Sequence, residues 1–274
     1  MIPAAFDYAR AESIDHAIEL LSANDDAKIL AGGHSLLPLM KLRLARPSML
    51  VDIGRIGDLS YIRQDDDVVA IGALARHHAL ANSELLQELC PIVADTAGQN
   101  GDPQVRHMGT IGGELAHADP AADMPAVLMA LEAEMVVRGA GGASRTVGAG
   151  DFFKDLFTPD LAANEVLAEI RVPATRDTGW SYLKFHRRAL DWALVGVAAI
   201  RSNGSARVAL VNMGHTPMRA SGVEEALEGG ADPATAAARA DEGTSPPSDA
   251  FGSAEYRREL SKVLVRRALE EALG

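Results

Sequence analysis

The sequence predicts an α+β protein built from two unlike regions. Three observations carry that expectation. From the N-terminus to about residue 172, helical and strand patterns alternate unevenly, whereas beyond Trp180 three apolar strand patterns follow one another as a meander. Between them, "RVPATRDTGW", Arg171 to Trp180, gathers proline, glycine and small polar residues of the kind that separate domains. The chain has 274 residues, 47% of them hydrophobic, enough for two ordinary cores.

The first predicted element is a helix from Ser13 to Leu21, in which Ser13 serves as N-cap and Ile14, Ala17, Ile18 and Leu21 make one apolar stripe. A short strand, Ala27 to Leu30, leads to "AGGHSLLP". Pro38 is tolerated only in a first helical turn, so the next helix starts near Ser35. A strand runs from about Met49 to Ile53. "VVAIGALA", Val68 to Ala75, is a further strand, and His77 and His78 just past it would face opposite sides of a strand. Ser83 to Ala97 is helical with an interruption at Pro91. A second paired-glycine stretch, "GTIGGELAHADPAAD", precedes a helix near Ala121 to Leu131 and the strand "EMVVRG". "GAGGAS", Gly139 to Ser144, leads into the strand-like "RTV" and is a hairpin turn, not a dinucleotide fingerprint.

In the second region the strands are "YLKFHRRA", "ALVGVAAI" and "ARVALVNM", and Asn203-Gly204 between the last two marks a type I′ hairpin because both residues accept positive φ. Gly229 to Ser253 is expected to be partly surface loop. The chain closes with an amphipathic helix from about Glu255 to Leu273, with Tyr256, Leu260, Val263, Leu264, Ala268 and Ala272 as its apolar face.

Composition excludes several classes. The net charge of -12 offers no overall basic surface to nucleic acid or to an anionic membrane. "MIPAAFDYARAES" lacks the pattern of a secretory signal, and "LDWALVGVAAI" is too short to span ~30 Å of hydrocarbon, so a cytoplasmic location with no transmembrane segment is expected. The single cysteine, Cys90, permits no internal disulfide and no thiolate-ligated iron–sulfur cluster from this chain alone; its apolar setting predicts a buried, inert thiol.

The two glycine pairs are the candidate site. Glycine lets backbone N–H groups approach an anion, a following helix N-terminus adds favourable partial charge, and Ser35, Thr110 and Lys28 supply a hydroxyl, a hydroxyl and a cation. That points to a diphosphate ligand, with plain tight turns as the alternative. "GHSLL" has Leu37 where a nucleophile elbow needs its second glycine, which argues against a hydrolase. His34, His107 and His117 lack metal-ligand spacing, and no metal site is expected. Asp119 and Asp123 are expected to cap a helix or to bond a ligand hydroxyl.

"KILAGGHSLLPLMKLRLARP" with "VDIGRI", then "VRHMGTIGGELAHADPAADMPAVLMAL", then "YLKFHRRALDWALVGVAA", resemble the FAD-binding medium subunit of aerobic carbon monoxide dehydrogenase and related molybdenum hydroxylases of the xanthine dehydrogenase family. The resemblance runs in order along nearly the whole chain. It implies a p-cresol methylhydroxylase-type FAD-binding region, residues 1–172, in an N-terminal lobe (1–57) and a central lobe (58–172). A C-terminal α+β domain, residues 173–274, would hold an antiparallel sheet with helices. Carry-over places FAD contacts at Lys28, Ala31, Gly32, Gly33, His34, Ser35 and Leu36, and at Thr110, Ile111, Gly112 and Gly113. Ala116, Asp119 and Asp123 match the ribityl and diphosphate lining, and Leu161 and Lys184 the isoalloxazine and adenosine surroundings. The resemblance assigns no catalytic residue to this chain.

Two positions depart from the family pattern. Glu114 stands where asparagine is usual, which puts a carboxylate beside an anionic cofactor and predicts weaker FAD binding. Trp192 stands where tyrosine is common against the flavin ring; it is read as a stacking residue, with core packing as the alternative.

By the same resemblance, substrate is oxidised at a molybdopterin centre on a large subunit and electrons cross [2Fe–2S] clusters on a small subunit. FAD on this chain then passes them to an external acceptor such as quinone, NAD or oxygen. A dimer of heterotrimers is implied, cytoplasmic or peripheral to the inner membrane through the complex. Carbon monoxide is the first substrate expectation, N-heterocycles, purines or aldehydes the second; an assembly protein that has lost FAD is the reading from another class.

Overall fold

The computed structural model describes residues 2–202 and 204–274. Its first unit is a small parallel sheet. Strand β1 (Asp7–Arg10), helix α1 (Ile14–Ala23), β2 (Ala27–Leu30), α2 (Leu36–Lys41) and β3 (Met49–Asp52) follow in order, and the strands lie β1-β3-β2. Ser13 caps α1, its hydroxyl accepting from His16 N at 3.1 Å, and Ala17, Ile18 and Leu21 are buried against the sheet as their spacing predicts. Ser35 is the N-cap of α2.

The second unit begins with β4 (Ile62–Asp65) and β5 (Val68–Gly72). A helical layer follows: α3 (His77–Ala81), α4 (Glu84–Leu89), α5 (Pro91–Gln99), α6 (Pro103–Met108), α7 (Ile111–His117) and α8 (Asp123–Ala130). The chain returns through β6 (Glu134–Arg138), β7 (Ser144–Gly148), α9 (Ala149–Phe152), the short β8 (Phe153–Asp155) and β9 (Thr158–Pro159), and β10 (Val166–Pro173). β10 is the centre of a five-stranded sheet, β4-β5-β10-β6-β7. The apolar faces of this sheet and of α5, α7 and α8 form the largest core, in which Cys90 is fully buried and its thiol is pushed up to about 11 by burial.

His77 and His78 lie on α3, not on a strand. β5 stops at Gly72, where a Cβ would overlap the Leu59 carbonyl, and the chain turns as Ala75 N donates to Gly72 O at 2.8 Å. His77 is thereby buried and His78 exposed, on one helix.

The third unit is the antiparallel sheet β11 (Trp180–Phe185), β12 (Val195–Ser202), β13 (Ser205–Val211) and β14 (Met218–Arg219), in that order. The β12–β13 hairpin closes as Ser202 pairs Ser205; Gly204 has φ +82°, and Asn203 lies outside the described residues. Helices α10 (Ser221–Glu228), α11 (Pro233–Ala237) and α12 (Ala254–Leu273) cover one face. The buried side of α12 is rotated from the apolar reading. Arg257, Ser261, Leu264, Val265, Ala268, Leu269 and Ala272 face inward, while Tyr256 and Val263 are exposed. Two polar residues belong to that stripe because both find partners: Arg257 donates to Leu194 O at 2.5 Å and to Asp249 at 2.7 Å, and Ser261 donates to Arg258 O at 2.7 Å.

Candidate functional site

The two glycine stretches, far apart in sequence, touch. A Cβ built on Gly32 would overlap the Met108 carbonyl oxygen and stand 2.9 Å from Gly109 Cα, so the first loop lies directly on the second only because position 32 has no side chain. Gly33 has φ +76°, a left-handed conformation that re-aims the chain into α2. A small polar cavity of about 70 Å³ opens at the junction, lined by Ala31, Gly32, Gly54, Ser60, Leu74, Arg76, Met108 and Thr110.

The loops differ in what their backbone offers. Among the described residues, the N–H groups from Gly32 to Leu36 find no backbone acceptor, and the Ser35 hydroxyl makes no capping bond. Five successive donors at the mouth of a left-handed turn form a nest for an anion. In the second loop the fold takes up the donors: Ile111 N bonds Ala75 O at 3.0 Å, Gly112 N bonds Ala73 O at 2.9 Å, and Gly113 N bonds Thr110 Oγ1 at 3.1 Å. Gly112 also packs with no space for a side chain on Ala73. The second loop thus forms a wall, and the first supplies the free donors.

Beneath the wall lies a buried polar cluster. Lys184 Nζ on β11 is 2.7 Å from Asp123 Oδ2 at the start of α8, and Tyr182, two residues away on the same strand face, donates to Asp123 Oδ1 at 2.6 Å. Burial pushes the Asp123 carboxyl up, with Lys184 and Tyr182 opposing, and lifts the Tyr182 phenol well above its ordinary value.

Glu114, on α7, turns inward. Its carboxyl accepts from Met124 N at 3.0 Å, capping α8 where the N-cap Ala122 has no side-chain acceptor, and from Asn100 at 2.8 Å. His77 Nε2 is 3.2 Å away. That is ion-pair distance, yet burial, then the Asp123 charge, pushes Glu114 up to about 8, and burial, then Arg106, takes His77 down to about 4. Burial thus favours the neutral form of each group across this contact. Glu114 bridges α7 and α8, its carboxyl taken up by Met124 N and Asn100.

The other candidate residues are placed as follows. Lys28, His34 and Ala116 are exposed around the loops, and Ala31 and Leu36 are half-buried. Asp119 accepts from Ala121 N at 2.9 Å in a local turn. Leu161 packs against the central core. Trp192 stands 61% exposed on the segment between β11 and β12, which excludes the core-packing reading. Sequence reasoning missed Arg76, Asn100 and Tyr182 and put His77 on a strand; of the three missed, only Tyr182 carried a signal, its two-residue spacing from Lys184. Among the described residues no group of three potential metal ligands occurs. A larger groove of about 560 Å³ between α5 and Trp180 includes no glycine-loop residue.

Residues 4–175 match the family model described as the FAD binding domain in molybdopterin dehydrogenase, and residues 180–272 match the CO dehydrogenase flavoprotein C-terminal domain. The chain belongs to the FAD-binding medium chains of the molybdenum hydroxylase family. It is 41% identical to the carbon monoxide dehydrogenase medium chain of Hydrogenophaga pseudoflava, over 99% of this chain and 98% of that one. It is 40% identical to the glyceraldehyde dehydrogenase medium chain of Sulfolobus acidocaldarius, over 99% of each. A solved carbon monoxide dehydrogenase from H. pseudoflava that lacks the Mo-pyranopterin moiety superposes with a TM-score of 0.95 at 42% identity, covering 100% of this chain and 99% of its counterpart. As in this medium-chain family, the architecture joins a FAD-binding region to a flavoprotein C-terminal domain.

Proposed function

We propose that this chain is the electron-output subunit of a carbon monoxide dehydrogenase-type complex, holding FAD in the cleft between its glycine loops. The observation that carries the reading is the run of unpartnered N–H groups from Gly32 to Leu36 at the left-handed Gly33, pressed against a second glycine loop. These residues suit a diphosphate in chemistry as well as in shape: the donors are neutral and pre-aimed, Lys28 adds a nearby cation, and Gly32 keeps the cradle narrow. Thr110 and Gly113 wall the cleft, and the Asp123–Lys184–Tyr182 cluster holds α8 and β11 rigid beneath it. Bound FAD supplies two-electron and one-electron redox chemistry; the chain orients it and leaves Trp192 free to cover one ring face. An FAD-free assembly role leaves the unpartnered donors without a purpose.

Substrate oxidation belongs to partner chains, a large molybdopterin subunit and a small [2Fe–2S] subunit, since one buried cysteine cannot ligate a cluster that needs about four thiolates. Assembly as a dimer of heterotrimers, an external acceptor such as quinone, NAD or oxygen, and a cytoplasmic or peripheral inner-membrane location complete the reading. No helix among the described residues is long and apolar enough to cross a membrane. Carbon monoxide is the first substrate because the H. pseudoflava protein matches in both sequence and structure. An aldehyde is the second, carried by the nearly equal identity to the glyceraldehyde dehydrogenase chain.

The test is to purify the chain, add FAD anaerobically and record a flavin spectrum. The partner chains are then added, and carbon monoxide, glyceraldehyde and an N-heterocycle supplied in turn. Flavin bleaching by carbon monoxide only with the partners present is the expected result. A chain that takes up no FAD overturns the proposal, and bleaching by the isolated chain overturns its subunit role.

A further inference from the structure

The averaged charge of -12 conceals a segregation. Between Asp26 and Asp52 there is no acidic residue, while Lys28, Lys41, Arg43 and Arg46 fall in that interval. Among the described residues, no ion pair involves any residue before Arg63, although arginines from Arg63 onward are extensively paired. Lys41, Arg43 and Arg46 are exposed and, among the described residues, have no carboxylate partner within 4.0 Å.

In sequence those three cations interleave with two exposed leucines. Leu42 and Leu44, at the end of α2, are 58% and 74% exposed. The turn that presents them is tightly built: Arg43 takes φ +60°, Arg43 N bonds Met40 O at 3.0 Å, and Leu44 N bonds Leu39 O at 2.9 Å. In a left-handed helix C-cap of this kind the apolar residue after the αL position normally folds back onto the helix. Here both C-cap bonds form, yet Leu44 is held out. The two C-cap hydrogen bonds hold Arg43 in the αL region despite its side chain, so the turn is a fixed platform for the leucine. Being fixed before contact, it would lose little freedom on binding.

We infer that Lys41–Arg46 is a docking surface for an acidic face of the cluster-bearing small subunit, with Leu42 and Leu44 as apolar anchors inside a cationic rim. This rests on the proposed function. Charge selects the occupant: a two-fold contact with a second copy would set Lys41, Arg43 and Arg46 against their own equivalents, and like charges at an interface repel. Position selects it too. α2 starts at the free donors of the first loop, and its six residues rise about 9 Å at 1.5 Å each. A chain seated on Leu42 and Leu44 is therefore brought beside the proposed FAD cleft, where an electron donor is needed.

The experiment titrates FAD-loaded wild-type chain, Leu44→Glu and the double variant Lys41→Glu/Arg46→Glu with the purified small subunit. Flavin content and thermal midpoint are measured in parallel. All three positions are exposed, so both variants are expected to keep FAD and midpoint while binding the small subunit at least about tenfold more weakly, the loss typical of a removed anchor. Added salt should weaken the wild type and leave the double variant nearly unchanged. If Leu44→Glu does not fold, the double variant decides. Equal affinity in both variants overturns the inference, as does FAD loss from folded protein, which assigns the patch to the cofactor. Loss of self-association with small-subunit binding intact makes a second copy the occupant and overturns it as well. A wild-type chain that holds FAD but binds no small subunit overturns this inference alone, whereas one that takes up no FAD overturns the proposed function first.

Discussion

Lys184 Nζ and Asp123 Oδ2 meet at 2.7 Å with both side chains buried, tying the third sheet to the N-terminus of α8. Removing one partner strands the other. Asp123→Ala should cost about 3–5 kcal/mol in urea unfolding, as expected for an unpaired buried charge. Asp123→Asn keeps the Tyr182 contact and should cost less, and Lys184→Met, which leaves a carboxyl able to take a proton, less again. An Asp123→Ala midpoint equal to wild type would remove the pair from the set of interactions holding the units together.

The same pair shows what the sequence made legible. Local signals were sound where they were local: the Ser13 cap and the Ile14–Leu21 stripe, the Pro38 limit on α2 and the paired glycines all sit where their chemistry requires. The central strand β10 went unread because Glu169 interrupts its apolar run. In the fold that carboxylate is enclosed by Tyr61, at 2.5 Å, and by Arg63 and Arg171. His77 was misassigned because only the Gly72–Leu59 contact ends β5 before it. Asp123 was legible as a candidate, but its partner lies 61 residues away and no short-range pattern links them.

Glu114 and His77 predict a pH dependence. Glu114 rises from 4.5 in the unfolded chain to about 8, so the folded state holds its proton longer; that contribution is complete below 4.5 and is lost as pH rises through 8. His77 falls from 6.5 to about 4, so its contribution is complete above 6.5 and lost as pH falls through 4. The two oppose each other between 4.5 and 6.5, and between 6.5 and 8 Glu114 acts alone. Stability should therefore fall with pH in that upper window, by at most about 1.4 kcal/mol per pH unit for one proton. Urea midpoints at both ends of the window measure it. Glu114→Gln should flatten the slope, and an unchanged slope would show that another group titrates.

Gly32 and Gly33 should fail by different routes. Gly32→Ala drives a methyl into the Met108 carbonyl and must part the two loops, so FAD content should drop sharply while the remote third sheet stays intact. Gly33→Ala has space limited chiefly by the Leu37 and Leu30 side chains, and should show mainly the αL cost of about 1–2 kcal/mol. Flavin absorbance per protein and circular dichroism separate the two. Full flavin in Gly32→Ala would mean that the loop contact does not shape the cleft.

Trp192 has no packing role that its removal could disturb, but its segment is anchored. Asn212 Nδ2 donates to Ala193 O at 2.8 Å, and the buried Arg257 donates to Leu194 O at 2.5 Å, so the chain just after the indole is fixed from two sides. A large exposed aromatic on a fixed backbone is suited to stacking on a flat ligand. Trp192→Ala should leave the unfolding midpoint within about 0.5 kcal/mol of wild type, the usual range for an exposed site. It should at the same time raise flavin fluorescence and shift the flavin reduction potential. Arg257→Met should lower stability and, by freeing Leu194, weaken the same flavin signature without touching the ring. If Trp192→Ala matched wild type in fluorescence and potential, the indole would face something other than the cofactor.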